Sequence, residues 1–180
     1  MNSITTRVWI AGASGRLGSA LSHRFGGNTA YKLVTSDRDV AVEDVSVVGR
    51  FADINHPDVI INCAGLTEVQ ACEENPEEAY KINAIGARNL ATAARRIDAK
   101  FIQISTDDVF GGDEDKAFCE FDDPHPTTMY GKSKYAGEKL VRELTDKHVI
   151  VRSSWLYGVG SYDFVDRVLD TAAKEGAVHL

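Results

Sequence analysis

The stretch "VWIAGASGRLG", Val8 to Gly18, runs from four apolar residues into three glycines spaced three apart, Gly12, Gly15 and Gly18. A short buried strand that ends in such a turn and opens a helix from about Arg16 to Phe25 is suited to an anion. Bare backbone permits close approach, and the helix amino end adds free N–H groups and a favourable dipole. A glycine pattern alone also fits an ordinary strand-to-helix turn. Two features point further: the pattern follows the first strand directly, and Asp37 lies about 20 residues on, where the dinucleotide fingerprint places an acid for a ribose diol. In "SDRD", Ser36 to Asp39, Arg38 offers a partner for a 2′-phosphate, as does Arg16. NAD and NADP both stay open on these residues, with the arginines tipping the reading toward NADP.

Working outward, apolar β-rich runs alternate with amphipathic ones. The pattern predicts strands at Val8–Ala11, Lys32–Thr35, Val59–Cys63, Phe101–Ser105 and Val149–Arg152, and a short third strand in "VAVEDV", Val40 to Val45. It predicts helices over Ser46–Asn55, Pro76–Ile97, Tyr130–Leu144 and Ser161–Lys174, the second opened by a proline, which a first turn tolerates. Strand and helix in alternation, with near-continuous apolar strands, imply an α/β fold with a doubly wound parallel sheet, Rossmann-like, covered on both faces. Residues 1–180 read as one NAD(P)-binding domain. Ligands in such sheets bind beyond the carboxyl ends of the strands.

Composition narrows the classes. A net charge of −7 argues against a nucleic-acid partner or an anionic membrane surface, and no segment approaches the length and apolarity of a membrane span. Cys63, Cys72 and Cys119 have no CxxC spacing, which suits reduced thiols in a cytoplasmic protein. The histidines show no metal spacing, so no protein-bound metal is expected. "GGDEDK", Gly111 to Lys116, reads as a solvated loop.

Three further strand ends carry chemistry-bearing residues. In "NCAGLTEV", Asn62 to Val69, the small Ala64 and Gly65 let a flat ring or ribose lie against the backbone, or simply permit close packing. In "FIQISTDDVF", Phe101 to Phe110, strand alternation carried through the end puts Thr106 and Asp108 on one side and Ser105 and Asp107 on the other; the same residues also suit a cap and turn. In "MYGKSKYAGEK", Met129 to Lys139, Tyr130 and Lys134 stand one helical turn apart. A free tyrosine, with a pKa of about 10, is a poor base but a usable acid, and lowering it by ~3 units takes about 4 kcal/mol, which a nearby ammonium and a cofactor cation can supply together in a dry site. Asn83, on an otherwise apolar helical face, reads as a buried amide satisfied by backbone.

Together, "GASGRLG", "PDVIINCAGLTEVQACEENPEEAYKINAIGARNLA", "ISTDDVF", "YGKSKYAGEKLV" and "VRSSWLYG" give the chain a family likeness. It resembles the extended short-chain dehydrogenase/reductases and, within them, the dTDP-4-dehydrorhamnose reductase family of RmlD-like sugar-nucleotide-binding proteins. The resemblance implies an oxidoreductase that reduces a nucleotide-linked 4-keto-6-deoxy sugar with NAD(P)H in dTDP-rhamnose biosynthesis. It implies a catalytic set of Thr106, Tyr130 and Lys134, in which Tyr130 protonates the sugar C4 oxygen, Lys134 holds the ribose hydroxyls and stabilises the phenolate, and Thr106 bonds the substrate carbonyl. The cofactor would meet Gly12, Ser14, Gly15, Arg16, Leu17, Gly18, Asp37, Arg38, Asp44, Val45, Cys63, Ala64 and Gly65, besides Tyr130 and Lys134. The sugar nucleotide would meet Thr67, Thr106, Asp108 and Trp155. A homodimer, and Mg²⁺ at a dimer contact, are within the family's habits.

Two departures keep other readings in view. Reductases of the family carry Tyr where this chain has Asp108, and the acid resembles the Thr-Asp-Glu of nucleotide-sugar 4,6-dehydratases. The sequence ends at "GAVHL", which reads as the start of another strand, whereas family members run further; most of the smaller substrate lobe is expected beyond this chain. A dehydratase or epimerase using Asp108, and a non-catalytic NADP-binding regulatory subunit, are the alternatives to the reductase.

Overall fold

The computed structural model describes residues 5–112, 117–158 and 164–176. Five parallel strands, β1 (Thr6–Ala11), β2 (Tyr31–Ser36), β3 (Val59–Asn62), β4 (Lys100–Thr106) and β5 (His148–Ser153), form one sheet in the order β2-β1-β3-β4-β5. The helices are α1 (Arg16–Gly26), α2 (Val45–Asn55), α3 (Val69–Glu74), α4 (Pro76–Tyr80), α5 (Gly86–Arg96), α6 (Met129–Leu144) and α7 (Phe164–Glu175). The Rossmann-like α/β reading holds. The order reverses at β1 and β3, so the crevice for a ligand opens between their carboxyl ends.

Alternation along the strands builds two cores. Trp9, Ala11, Ile60 and Phe101 join Val48 and Ala52 of α2, Leu90 and Ala94 of α5 and Val141 of α6. Phe101 is wholly buried there, and its truncation to Ala would cost about 3–5 kcal/mol. Val8, Ile10 and Ile61 point the other way, with Leu21 and Phe25 of α1 packed on them. Val149 and Val151, in register with Ile102 and Ile104, stay 43% and 40% exposed on that second face.

Three local expectations are corrected. "VAVEDV" is not a strand: Val40 and Val42 are buried in successive turns, closed by Val40 N–H to Asp37 O and Asp44 N–H to Ala41 O. The aspartates decide this, because Asp39 accepts the Asp37 N–H and Asp44 caps α2 through the N–H groups of Ser46 and Val47, so local bonds displace ladder bonds. The helix from Pro76 contains a π-helical turn at Lys81–Ile85. The β4 strand stops at Thr106, and Asp107–Phe110 turn as a 3₁₀ helix, so alternation does not carry through to Asp108. Residues 161–163 of the predicted last helix, the "GAVHL" strand beyond Gly176, and residues 113–116 of the "GGDEDK" loop lie outside the described residues.

Candidate active site

The glycine turn is shaped as the spacing requires. Gly12 has φ +78°, and a Cβ there would stand 2.6 Å from the Ala64 nitrogen. A Cβ on Gly18 would collide with the Gly12 carbonyl oxygen. The turn between β1 and α1 therefore presses bare backbone against the end of β3. Gly15 is the N-cap of α1 with no side-chain cap bond, which leaves helix-end N–H groups open to an anion, and Leu17 follows in the first turn. This cradle fits the diphosphate of a dinucleotide.

Asp37, at the end of β2, reaches back to the same turn. Its carboxylate accepts the Ser14 N–H at 2.6 Å, and bonds from the Ser14 hydroxyl and backbone hold its pKa below the usual carboxylate value, helped by the neighbouring Arg38. Arg16 donates from Nη1 to Leu156 O at 3.2 Å, tying the segment after β5 to the glycine turn. Asp44 is engaged as the α2 cap, with Val45 exposed beside it.

The second cluster sits at the ends of β3 and β4 under α6. Thr128 caps α6 by accepting the Gly131 N–H at 2.9 Å, and Asn83 of the π turn lies against the helix: a Cβ on Gly137 would stand 2.5 Å from the Asn83 carbonyl oxygen. A Cβ on Gly131 would stand equally close, 2.5 Å, to the Asp108 carbonyl oxygen. Those glycines let α6 settle onto the β4 tip. The Tyr130 phenol lies beside the Thr106 side chain, whose Oγ1 donates to Asp107 Oδ1 at 3.2 Å. The phenol pKa is raised, chiefly by burial, against the pull of Thr106 and with help from the charges of Asp108, Cys72 and Asp107. One turn on, Lys134 is 4% exposed and donates from Nζ to Ile104 O at 2.6 Å. Burial brings its pKa down to about 8, while Cys63 and Glu138 pull it back up. Cys63 is pushed up to about 11 by burial, with Lys134 opposing. A Cβ on Gly65 would lie 3.7 Å from Lys134 Nζ, which places the small-residue stretch of β3 beside the ammonium.

Thr106, Tyr130, Lys134, Cys63, Gly65 and Asp108 thus converge. Asp108 is half-buried; burial, then Asp107, raises its pKa against the pull of the Thr128 side chain. Thr67 is exposed next to this stretch. Trp155 is 58% exposed, with its ring on Phe164 at 4.7 Å between centroids. Asn83 is the buried amide that was expected, bonded to both backbone groups of Leu66 and to Ser133. Missed in the sequence were Glu138 and Arg152. Glu138 is wholly buried and takes Ser105 Oγ at 2.6 Å and two bonds from Arg152. Its signal was spacing, four residues past Lys134 and eight past Tyr130 on one face of α6. Among the described residues, no three His, Cys, Asp or Glu side chains gather as a metal site, and no helix is long and apolar enough to cross a membrane.

The RmlD substrate binding domain family matches residues 6–180. The chain belongs to that family. It is 39% identical to a dTDP-4-dehydrorhamnose reductase of Mycolicibacterium smegmatis over its whole length and 55% of the relative's. It is 37% identical to the spore coat polysaccharide biosynthesis protein SpsK of Bacillus subtilis, covering 93% of this chain and 59% of that one. The crystal structure of a Bacillus anthracis dTDP-4-dehydrorhamnose reductase in complex with NADP superposes with a TM-score of 0.91 at 40% identity, over 97% of this chain and 62% of that one. A UDP-glucose 4-epimerase of Thermotoga maritima shares the fold alone, at 22% identity and a TM-score of 0.82. The chain therefore spans a little over half the length of these curated relatives.

Proposed function

We propose that the full-length protein is a reductase of a dTDP-linked 4-keto-6-deoxy sugar, of the dTDP-4-dehydrorhamnose reductase type, working with NADP(H). The observation that carries this reading is the Tyr130 phenol set beside the Thr106 side chain, with a buried Lys134 one turn along, at the carboxyl end of a parallel sheet. The glycine cradle and the arginines at 16 and 38 support a phosphorylated dinucleotide, and similarity to the NADP-bound Bacillus anthracis enzyme supports the same cofactor. The unpaired cysteines suit the reducing cytoplasm, where we place the protein.

When bound, NADPH supplies the hydride that reduces the sugar C4 carbonyl. Tyr130 starts as the neutral phenol, since its raised pKa keeps it protonated at neutral pH, and it gives that proton to the C4 oxygen as the alcohol forms. Thr106 holds the phenol oxygen and orients the carbonyl. Lys134 places an ammonium beside the developing phenolate and the ribose hydroxyls, in a buried position where charge is weakly screened. The phenolate then regains a proton from solvent.

Tyr130→Phe in the full-length protein tests this. NADPH oxidation with dTDP-4-keto-rhamnose should fall by about 10²–10⁴-fold, with NADPH binding changed little. Turnover unaltered by the substitution would remove the phenol from the mechanism. NADPH binding with no turnover of any sugar nucleotide by the wild type would favour the regulatory-subunit reading.

A further inference from the structure

Three consecutive residues of β4 grip three residues of α6 that lie on one face of the helix. Ile104 O accepts from Lys134 Nζ at 2.6 Å, Ser105 Oγ donates to Glu138 Oε1 at 2.6 Å, and Thr106 lies beside the Tyr130 phenol. The middle rung touches no position where cofactor or sugar is expected, yet it is the most heavily bonded. Glu138 has no exposed surface. Arg152 Nε reaches its Oε1 at 3.0 Å and Nη2 its Oε2 at 2.7 Å, while Arg142 approaches Oε2 at 3.6 Å. Arg152 comes from β5 and also lies 4.8 Å over the Phe110 ring, in the turn that follows Thr106.

We propose that Glu138 is a positioning residue for the Tyr130–Lys134 pair: its buried carboxylate clamps the β4 tip to α6 and is the counter-charge that keeps Lys134 an ammonium in the closed site. This rests on the reductase reading above. A carboxylate whose only task was to neutralise Arg152 needs neither Ser105 nor a place one turn from Lys134. The groups around Lys134 are the Cys63 thiol from β3, the Ile104 carbonyl from β4 and, on α6 itself, Tyr130 one turn before and Glu138 one turn after, with the Arg152 and Arg142 guanidiniums on the far side of the Glu138 carboxylate; the Asn83 amide stands behind Gly65. Of these, Glu138 alone brings a full negative charge while Cys63 is a thiol. In a weakly screened interior that charge acts on the ammonium over one helical turn.

The test uses the full-length protein with Glu138→Gln, and the double variant Glu138→Gln/Arg152→Gln, which removes the guanidinium left unpaired by the single change. The first readout needs no turnover: the pH dependence of Lys134 acylation by acetic anhydride, followed by peptide mass spectrometry. The midpoint should lie below the wild-type value in both variants, even where the double variant recovers the wild-type urea midpoint. The second is the pH profile of NADPH oxidation with the dTDP-4-keto sugar, whose alkaline limb should move to lower pH with kcat about tenfold down at neutral pH. Ser105→Ala keeps the charge and should lower kcat without moving the acylation midpoint. A wild-type midpoint in whichever Glu138 variant folds would overturn the proposal. Should the wild type turn over no sugar, the reductase reading falls while the acylation midpoint still decides the role of Glu138.

Discussion

Asn83 takes both backbone polar groups of Leu66: its Oδ1 accepts the Leu66 N–H at 2.8 Å and its Nδ2 donates to Leu66 O at 2.9 Å. The same Nδ2 donates to Ser133 Oγ at 2.9 Å, which in turn bonds Tyr130 O at 2.8 Å. One buried amide thus fixes the loop after β3 relative to the helix that carries the phenol. Asn83→Ala leaves the half-buried Leu66 N–H without its partner and the Leu66 carbonyl with only the weak bond from Cys72 Sγ at 3.6 Å, and should destabilise the protein by about 1–3 kcal/mol. Urea unfolding checks the magnitude, and hydrogen exchange at the Leu66 amide checks the mechanism: exchange should accelerate there more than at Trp9 in the sheet.

The legibility of this site followed the range of the interactions. Gly12, Gly15 and Gly18 announce a turn because the constraint is local, and Tyr130 and Lys134 announce a helical face because they are four apart. The Thr106–Tyr130 contact was read through the family likeness, and the structure brings the two together. Glu138 went unread because its partners, Ser105 and Arg152, lie 33 and 14 residues away; its spacing from Lys134 marks a shared helical face but not a buried ion pair. "VAVEDV" misled because its apolar periodicity is real, as Val40 and Val42 are buried, but aspartate side chains compete for the backbone. The π turn that holds Asn83 has no signal in a 3.6-residue pattern.

Gly18→Ala should weaken NADPH binding by about tenfold or more, because the added methyl meets backbone at Gly12 and the turn must shift by more than a side-chain adjustment. Intrinsic fluorescence titration of the full-length variant measures this. Binding equal to wild type would mean that the cofactor does not use this turn.

Asp108→Asn keeps a group that can bond Thr128 and removes a negative charge that raises the Tyr130 pKa. The phenol should ionise at lower pH, so the alkaline limb of sugar reduction should shift downward while turnover at pH 7 falls less than about tenfold. A dehydratase would behave differently: loss of all turnover of a 4-hydroxy sugar nucleotide in this variant would assign Asp108 to proton transfer.

The buried Lys134 gives the protein without cofactor an unusual dependence of stability on alkaline pH. Its folded pKa, about 8, lies below the ordinary lysine value of 10.5, so between these values the unfolded chain binds the extra proton and stability rises with pH. From pH 8 to 9 the gain should be about 1 kcal/mol, visible as a higher urea midpoint. Cys63 acts in the opposite sense, because its folded pKa of about 11 exceeds the value of 9.0 for a free thiol: above pH 9 the folded state holds the proton that the unfolded chain releases. Tyr130, also raised, works with Cys63 from about pH 10 upward. The rise should therefore flatten above pH 9 in the wild type and continue further in Cys63→Ala. Lys134→Met, which substitutes an apolar chain of similar length, should abolish the rise and leave a decline through pH 9–10. A urea midpoint that rises equally in wild type and Lys134→Met would show that the ammonium is not shielded from water in the folded protein.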